Sequence, residues 1–247
     1  MAGHSQFANI KYRKERQDAV KGKLFSKFAK QISVAAKSEP DPTQNPALAD
    51  LIDRARAVNM PKDNIERAIK RATGELPGQM FEEAIYEGYG PFGVAVMVCV
   101  ITDNRNRTVA GVRKIFEDFG GNMGGSVAWM FERRGVITLH TGSGIDQDDL
   151  LMKAIDLGAE DLQEQDGQWV IYAPPEALSA VKKGLEALGI TNEKAEVTLV
   201  PKTIVALKGK EAEKILKFME RLDENDDVQE TFANFDVPAE ALAQVGS

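Results

Sequence analysis

Hydrophobic spacing changes character once along this 247-residue chain, and that change limits the possible folds more than any other feature. As far as Gly74 the apolar residues recur at helical intervals: Leu24, Phe25, Phe28, Ile32 and Ala35, then Leu48, Leu51, Ile52 and Ala55, then Ile65, Ala68, Ile69 and Ala72. Prolines between Ser38 and Pro46 end the first helix, because each removes a backbone donor and biases its predecessor out of helical geometry. Pro61 suits the first turn of the third helix and Gly74 its C-terminal stop. From Val94 onward, short β-type runs alternate with helical ones.

The later part predicts strands at Val94–Ile101, Ser126–Phe131, Val136–His140, Asp161–Gln165, Gln168–Tyr172, Ala195–Val200, Thr203–Leu207 and Val228–Phe232. Helices are expected at Thr108–Phe119, Gln147–Leu157, from Pro174-Pro175 to near Gly189, and Lys210–Leu222. Residues 135–200 then read β-α-β-β-α-β, the ferredoxin-like order, and the flanking elements make a second unit of that order interrupted by the first. The predicted class is α+β: an N-terminal helical domain and two ferredoxin-like-order α+β domains, one inserted in the other. Tandem domains are the simpler alternative. The expected bounds are a basic arm at 1–23, a helical domain at 24–79, a discontinuous middle domain at 80–133 and 201–240, and an inserted domain at 134–200.

Charge is divided as sharply as spacing. Residues 1–74 carry 15 basic and 8 acidic side chains, a net +7; the remainder carries 16 and 30, a net −14. The first 37 residues hold nine Lys or Arg against two acids. Such asymmetry points to a polyanionic partner. Lys11, Arg13, Lys14, Arg16, Lys21, Lys23, Lys27 and Lys30 are the candidate phosphate contacts, with Phe7 and Tyr12 placed to stack on unpaired bases. The alternative for this segment is a solvated helix face with Phe25 and Phe28 in the core. A second candidate is Asp103-Asn-Arg-Asn-Arg107, where Arg105 and Arg107 sit at the first turn of a helix. Cations oppose the macrodipole there unless an anion joins them. Pairing of Arg105 with Asp103 or a neighbouring acid explains them equally well.

Other motifs fail on context. Gly88-Tyr-Gly-Pro-Phe-Gly93 matches G-x-G-x-x-G, but a strand follows it where the dinucleotide fingerprint needs a helix, so it reads as a turn-rich loop. Asp223-Glu-Asn-Asp-Asp227 opens like a calcium loop but has Val228 and Asn234 at the positions that require Gly and Glu; a solvated acidic turn is expected instead. Asp146, Asp148 and Asp149 fall where a helix begins and read as capping residues. With two histidines and one cysteine, Cys99, no nucleophile–base pair or metal set is evident, so neither catalysis, a metal, a cofactor nor a small-molecule substrate is expected. An Ala2-Gly3-His4 start, were Met1 removed, offers nitrogens for copper(II) or nickel(II), a chemistry incidental to function. The longest apolar run, Val94–Ile101, is far short of the roughly 20 residues of a spanning helix, which predicts a soluble, cytoplasmic protein with no membrane partner.

The stretches Met1-Ala-Gly-His-Ser5, Ala8-Asn-Ile-Lys11, Gly22-Lys-Leu-Phe25, Ile85-Tyr-Glu-Gly-Tyr-Gly-Pro91, Thr102-Asp-Asn-Arg-Asn-Arg-Thr108, Gly120-Gly-Asn122 and Asp226-Asp-Val-Gln229 together resemble the YebC/PmpR family. Phe7 stands where that family usually has Trp, and the Gly120–Ser126 loop is shorter than usual. The resemblance implies three domains, the last inserted in the middle one, and no catalysis. It also implies a DNA-binding transcriptional regulator, or alternatively a translation factor at the ribosome contacting rRNA or tRNA. A protein adaptor using the acidic faces is the remaining alternative.

Overall fold

The computed structural model describes residues 21–78, 80–140, 146–165 and 167–238. These form two compact units, one of residues 21–127 and 209–233, the other of 128–208 and 234–238. The chain thus leaves the first unit after Val127 and returns to it at Gly209.

The first unit opens with three helices, α1 (Lys21–Ala35), α2 (Pro46–Ala57) and α3 (Lys62–Ala72). Asn45 caps α2 by accepting from the Leu48 amide at 3.1 Å, and Pro46 follows at the position where a missing N–H does no harm. Phe28, Ile32, Leu48, Ile52, Ile65 and Ala68 form their common core, at the helical spacing read from the sequence. Next come β1 (Glu82–Tyr89), β2 (Ala95–Thr102) and α4 (Arg105–Asp118). After the second unit has been traversed, α7 (Lys210–Asp223) and β8 (Val228–Ala233) complete the first. Its sheet is antiparallel with order β1-β2-β8. Central β2 is buried at every position except half-exposed Cys99, as its unbroken apolar run requires. Helices α4 and α7 join through Phe116 and Phe218, whose rings meet edge to face at 5.1 Å. Burying each of these phenylalanines contributes about 2 kcal/mol.

The second unit contains β3 (Phe131–His140), α5 (Gln147–Asp156), β4 (Asp161–Gln165), β5 (Gln168–Ala173), α6 (Leu178–Ala187) and β6 (Lys194–Pro201). Its antiparallel sheet has the order β4-β5-β3-β6, which is the ferredoxin-like arrangement. Ile137, Leu139, Trp169 and Ile171 alternate along β3 and β5 and share one core with Leu150 on α5 and Leu185 on α6. A short parallel ladder joins β7 (Val205–Ala206) to β9 (Phe235–Asp236).

Three strand assignments differ from the sequence reading. Residues 126–131 and 136–140 are not separate strands: a short 3-10 turn at Ala128–Met130 leads into a single β3. Glu132, Arg133 and Arg134 broke the apolar pattern, yet their backbones pair with β6 from Phe131↔Pro201 to Thr138↔Lys194. The expected strand at 203–207 shrinks to β7 and pairs outside the first unit's sheet. That sheet's third strand is instead β1, which the sequence hid because Glu82, Glu83, Glu87 and Gly88 dilute its alternation.

Glycines explain how the connecting loops fit. Around Gly88-Tyr-Gly-Pro-Phe-Gly93, β1 turns directly into β2, with the Gly90 amide donating to the Val94 carbonyl at 2.8 Å. Tyr89 and Asn122 exchange two backbone hydrogen bonds of 2.9 and 2.7 Å, drawing the Gly120–Ser126 loop against this turn. A Cβ on Gly121 would stand 2.6 Å from the Tyr89 carbonyl oxygen, and one on Gly88 2.5 Å from that of Asn122. Gly121→Ala is therefore expected to destabilise the protein by about 2 kcal/mol, as overpacking against backbone does. Gly124→Ala, which meets only the Asn122 side chain at 3.7 Å, is the control and should stay within about 0.5 kcal/mol. Urea midpoints of the two variants check both values.

Candidate nucleic-acid interface

Lys23, Lys27 and Lys30 are spaced four and three residues apart and so share one face of α1. All three reach the turn between α7 and β8 or the first residues of β8. Lys23 Nζ donates to the Glu224 carbonyl at 3.2 Å, Lys27 Nζ to that of Gln229 at 3.2 Å, and Lys30 Nζ to that of Asp226 at 2.6 Å. Lys30 also pairs with Asp227 Oδ1 at 2.8 Å, and both side chains are only 10% exposed. The apolar face of α1 meanwhile supplies Phe28 and Ile32 to the helical core. This helix is thus held on two sides, by apolar packing and by charge.

Asp227 collects further donors. Its Oδ2 accepts from Arg107 Nη2 at 3.0 Å and from the buried Thr108 hydroxyl at 2.6 Å. The Thr108 and Thr102 oxygens lie 2.7 Å apart, and Thr102 accepts from the Asn104 amide at 2.9 Å. Burial alone would raise the Asp227 carboxyl, but hydrogen bonds from Lys30, Thr108 and Arg107 and the Lys30 charge outweigh it and hold the pKa at about 2. Phe81, at the start of β1, continues the joint: Lys30 and Arg71 lie 5.8 and 5.6 Å from its ring centroid.

This geometry corrects one expectation. Asp223–Asp227 is not a solvated turn, since Asp223 and Asp227 are buried and Asp223 accepts from the Thr231 hydroxyl at 3.1 Å. Lys30 is an internal tie, while Lys23 donates to the same turn and Lys27 to the start of β8. The missed signal was complementarity: a basic i, i+4, i+7 face and an acidic run about 200 residues apart each looked solvated when read alone.

Arg105 and Arg107 also meet carboxylates. Arg105 Nε lies 3.3 Å from Glu82 Oε1, and Arg107 pairs with Asp103 at 2.8 Å as well as with Asp227. Hydrogen bonds donated to Asp227 and Asp103 push the Arg107 guanidinium above its ordinary value. Asn104 caps α4 by accepting from the Arg107 amide at 3.1 Å. These acids offset the cations at this helix start, and both arginines remain more than half exposed.

Lys11, Arg13, Lys14, Arg16, Phe7, Tyr12 and the Ala2-Gly3-His4 motif lie outside the described residues; Lys21 begins α1, and its side chain also lies outside them. Asp146 caps α5, accepting from the Asp148 and Asp149 amides at 3.0 and 3.3 Å. Burial foremost, then Glu230 and Glu83, pushes the Cys99 thiol up to about 11, which suppresses its thiolate at neutral pH. Among the described residues no group of three or more His, Cys, Asp or Glu side chains could hold a metal, and no helix is long and apolar enough to cross a membrane.

Comparison with known proteins places the chain among relatives. A family model described as the TACO1/YebC second and third domain matches residues 81–235, and another described as the TACO1/YebC N-terminal domain matches residues 5–75. The chain belongs to the TACO1/YebC family. A probable transcriptional regulatory protein of Dictyoglomus turgidum is 52% identical over 245 residues, covering 98% of each chain. A protein of the same description from Trichlorobacter lovleyi is 51% identical and covers 99% of this chain and 100% of its own. The solved structure of a conserved hypothetical protein from Aquifex aeolicus is 48% identical with a TM-score of 0.74, covering 90% of this chain and 93% of that one. The two family domains meet in residues 76–80, where helical spacing gives way to β1.

Two outcomes follow from the Asp227 cluster. Lys30→Met should destabilise the protein by about 3 kcal/mol, because it leaves a buried carboxylate short of its partner. Chemical denaturation measures this. The second outcome is a pH dependence. The folded pKa of Asp227 is depressed from 3.8 to about 2, so its stabilising contribution is full above 3.8 and is lost as pH falls toward 2. Unfolding midpoints taken from pH 5 to pH 2 should fall more steeply for the wild type than for Asp227→Asn.

Proposed function

We propose that this protein is a non-enzymatic regulator of gene expression that acts in the cytoplasm by binding nucleic acid, with DNA as the first candidate. One observation carries the reading: the positive charge of the N-terminal segment exceeds what docking of α1 uses. Lys23, Lys27 and Lys30 answer the α7–β8 turn. Residues 11–21 bring five further cations, Lys11, Arg13, Lys14, Arg16 and Lys21, against Glu15 and Asp18. Phosphates are the partner that such a segment fits, through release of condensed counterions. The names of the curated relatives, probable transcriptional regulatory proteins, support the regulatory part.

The −14 balance of residues 75–247 favours a second reading, a translation factor touching rRNA or tRNA. A negative body is repelled by an extended duplex surface, whereas a slender basic segment can enter folded RNA between its phosphates.

Crosslinking in cells followed by sequencing of the attached nucleic acid separates the two: promoter DNA supports the first, ribosomal RNA or tRNA the second, and neither overturns both. In vitro, reversing Lys11, Arg13, Lys14 and Arg16 to Glu is expected to abolish binding. The salt dependence of wild-type binding should be steep, with a slope of about −0.9 per phosphate contacted on duplex DNA and about −0.7 on a single strand.

A further inference from the structure

Helix α7 has a face that neither the core nor the α1 docking uses. Ala212, Ile215, Leu216, Met219 and Leu222 are buried along one side. On the opposite side stand Lys210, Lys214, Lys217 and Arg221, all exposed. Their separations of four, three and four residues place them in one narrow stripe, spanning about 16 Å at 1.5 Å per residue. Glu211, Glu213 and Glu220 flank this stripe: Glu213 follows Lys210 by three residues and precedes Lys217 by four, Glu220 follows Lys217 by three, and Glu211 precedes Lys214 by three. Among the described residues Lys210, Lys214 and Lys217 make no ion pair, while Arg221 has Glu224 at 2.9 Å.

One of these cations is also held in place. The Lys214 ammonium lies 5.7 Å from the Phe92 ring centroid and 3.8 Å from where a Cβ on Gly120 would stand, just beyond α4. Phe92 adopts φ 63°, ψ 19° between Pro91 and Gly93, a left-handed conformation unfavourable for a bulky side chain, and the residue is 43% exposed. The turn thus keeps an aromatic ring at the surface beside the lysine, where it fixes the charge without burying it.

We propose that this ridge is a second nucleic-acid contact, in which Lys210, Lys214, Lys217 and Arg221 lie along the phosphate backbone of a base-paired segment. A straight row of cations about 16 Å long matches roughly five base pairs at 3.4 Å each. Lysines act as point charges toward phosphates, so the contact is independent of sequence. The proposal rests on the nucleic-acid reading above but uses residues separate from the N-terminal segment.

The test compares the full-length wild type, the triple variant Lys210→Ala, Lys214→Ala, Lys217→Ala, and the four-site reversal at residues 11–16. Each is titrated with a 20-base-pair DNA duplex and an RNA duplex of the same sequence, over a series of salt concentrations. Alanine at exposed helical sites preserves the helix, and circular dichroism with thermal melting verifies this. Loss of three phosphate contacts should make the wild-type affinity fall about 40-fold more than that of the triple variant between 50 and 200 mM salt. The weakening should be equal for scrambled sequences. A triple variant with wild-type affinity and salt slope, beside a reversal variant that has lost binding, overturns the ridge and leaves the functional reading intact. Absence of wild-type binding to either duplex overturns the ridge as well and counts against the functional reading on duplex targets.

Discussion

The buried pair of Lys30 and Asp227 is the interaction on which the first unit is organised. It joins the helical segment, which has its own apolar core, to the turn that closes a sheet almost two hundred residues later. An apolar contact at this point would tolerate sliding or rotation of α1; a buried charge does not, because an ammonium displaced from its carboxylate has no water to receive it. The pair therefore selects one docking of the helix. Compared with a hydrophobic pair of similar size, such a bridge adds little net stability. Its contribution is to make every alternative arrangement worse. Arg107 and Thr108 extend the same logic to α4, whose first turn is tied to the same carboxylate.

Charge that looks solvated in one dimension has internal partners in three. Lys23, Lys27, Lys30, Arg105 and Arg107 all have acidic side chains or carbonyls within reach. The glycine motifs behave similarly. Gly88 and Gly121 are explained by two backbones in mutual contact rather than by a cofactor's phosphate. What distinguishes the α7 ridge from these cases is that three of its four cations have no carboxylate within pairing distance among the described residues.

Local physics was legible where one face of one element decides the outcome. The three N-terminal helices, the ferredoxin-like order of residues 135–200 and the cap of α5 all follow from spacing and from short polar side chains at fixed offsets. Legibility ended where a residue's environment is supplied from far along the chain. Strand β1 lacks apolar alternation because several of its side chains are carboxylates; one of these, Glu82, faces Arg105, and another, Glu87, receives the Val127 amide at 2.7 Å. Residues 132–134 looked like a break because their charges are satisfied on the sheet surface, as Arg134 is by Glu132 and Glu160. For the candidate site, composition revealed that the N-terminal segment is basic. It could not divide those cations between an internal partner and an external one, since that division depends on where Asp226 and Asp227 come to rest.

The interruption of the first unit between Val127 and Gly209 also sets an order of events during synthesis. Helix α1 emerges early, but the carboxylate and carbonyls that receive its lysines lie at residues 224–229. Until those residues leave the exit tunnel, the basic face of α1 is uncovered while the helix already has its apolar partners in α2 and α3. The four-stranded sheet of the intervening unit lies wholly between residues 131 and 201 and can close on itself first. Completion of the first unit is then a long-range closure, the slow kind of step in protein folding. A chain truncated before Asp227 retains the helices yet lacks the counter-charge that tells α1 where to sit.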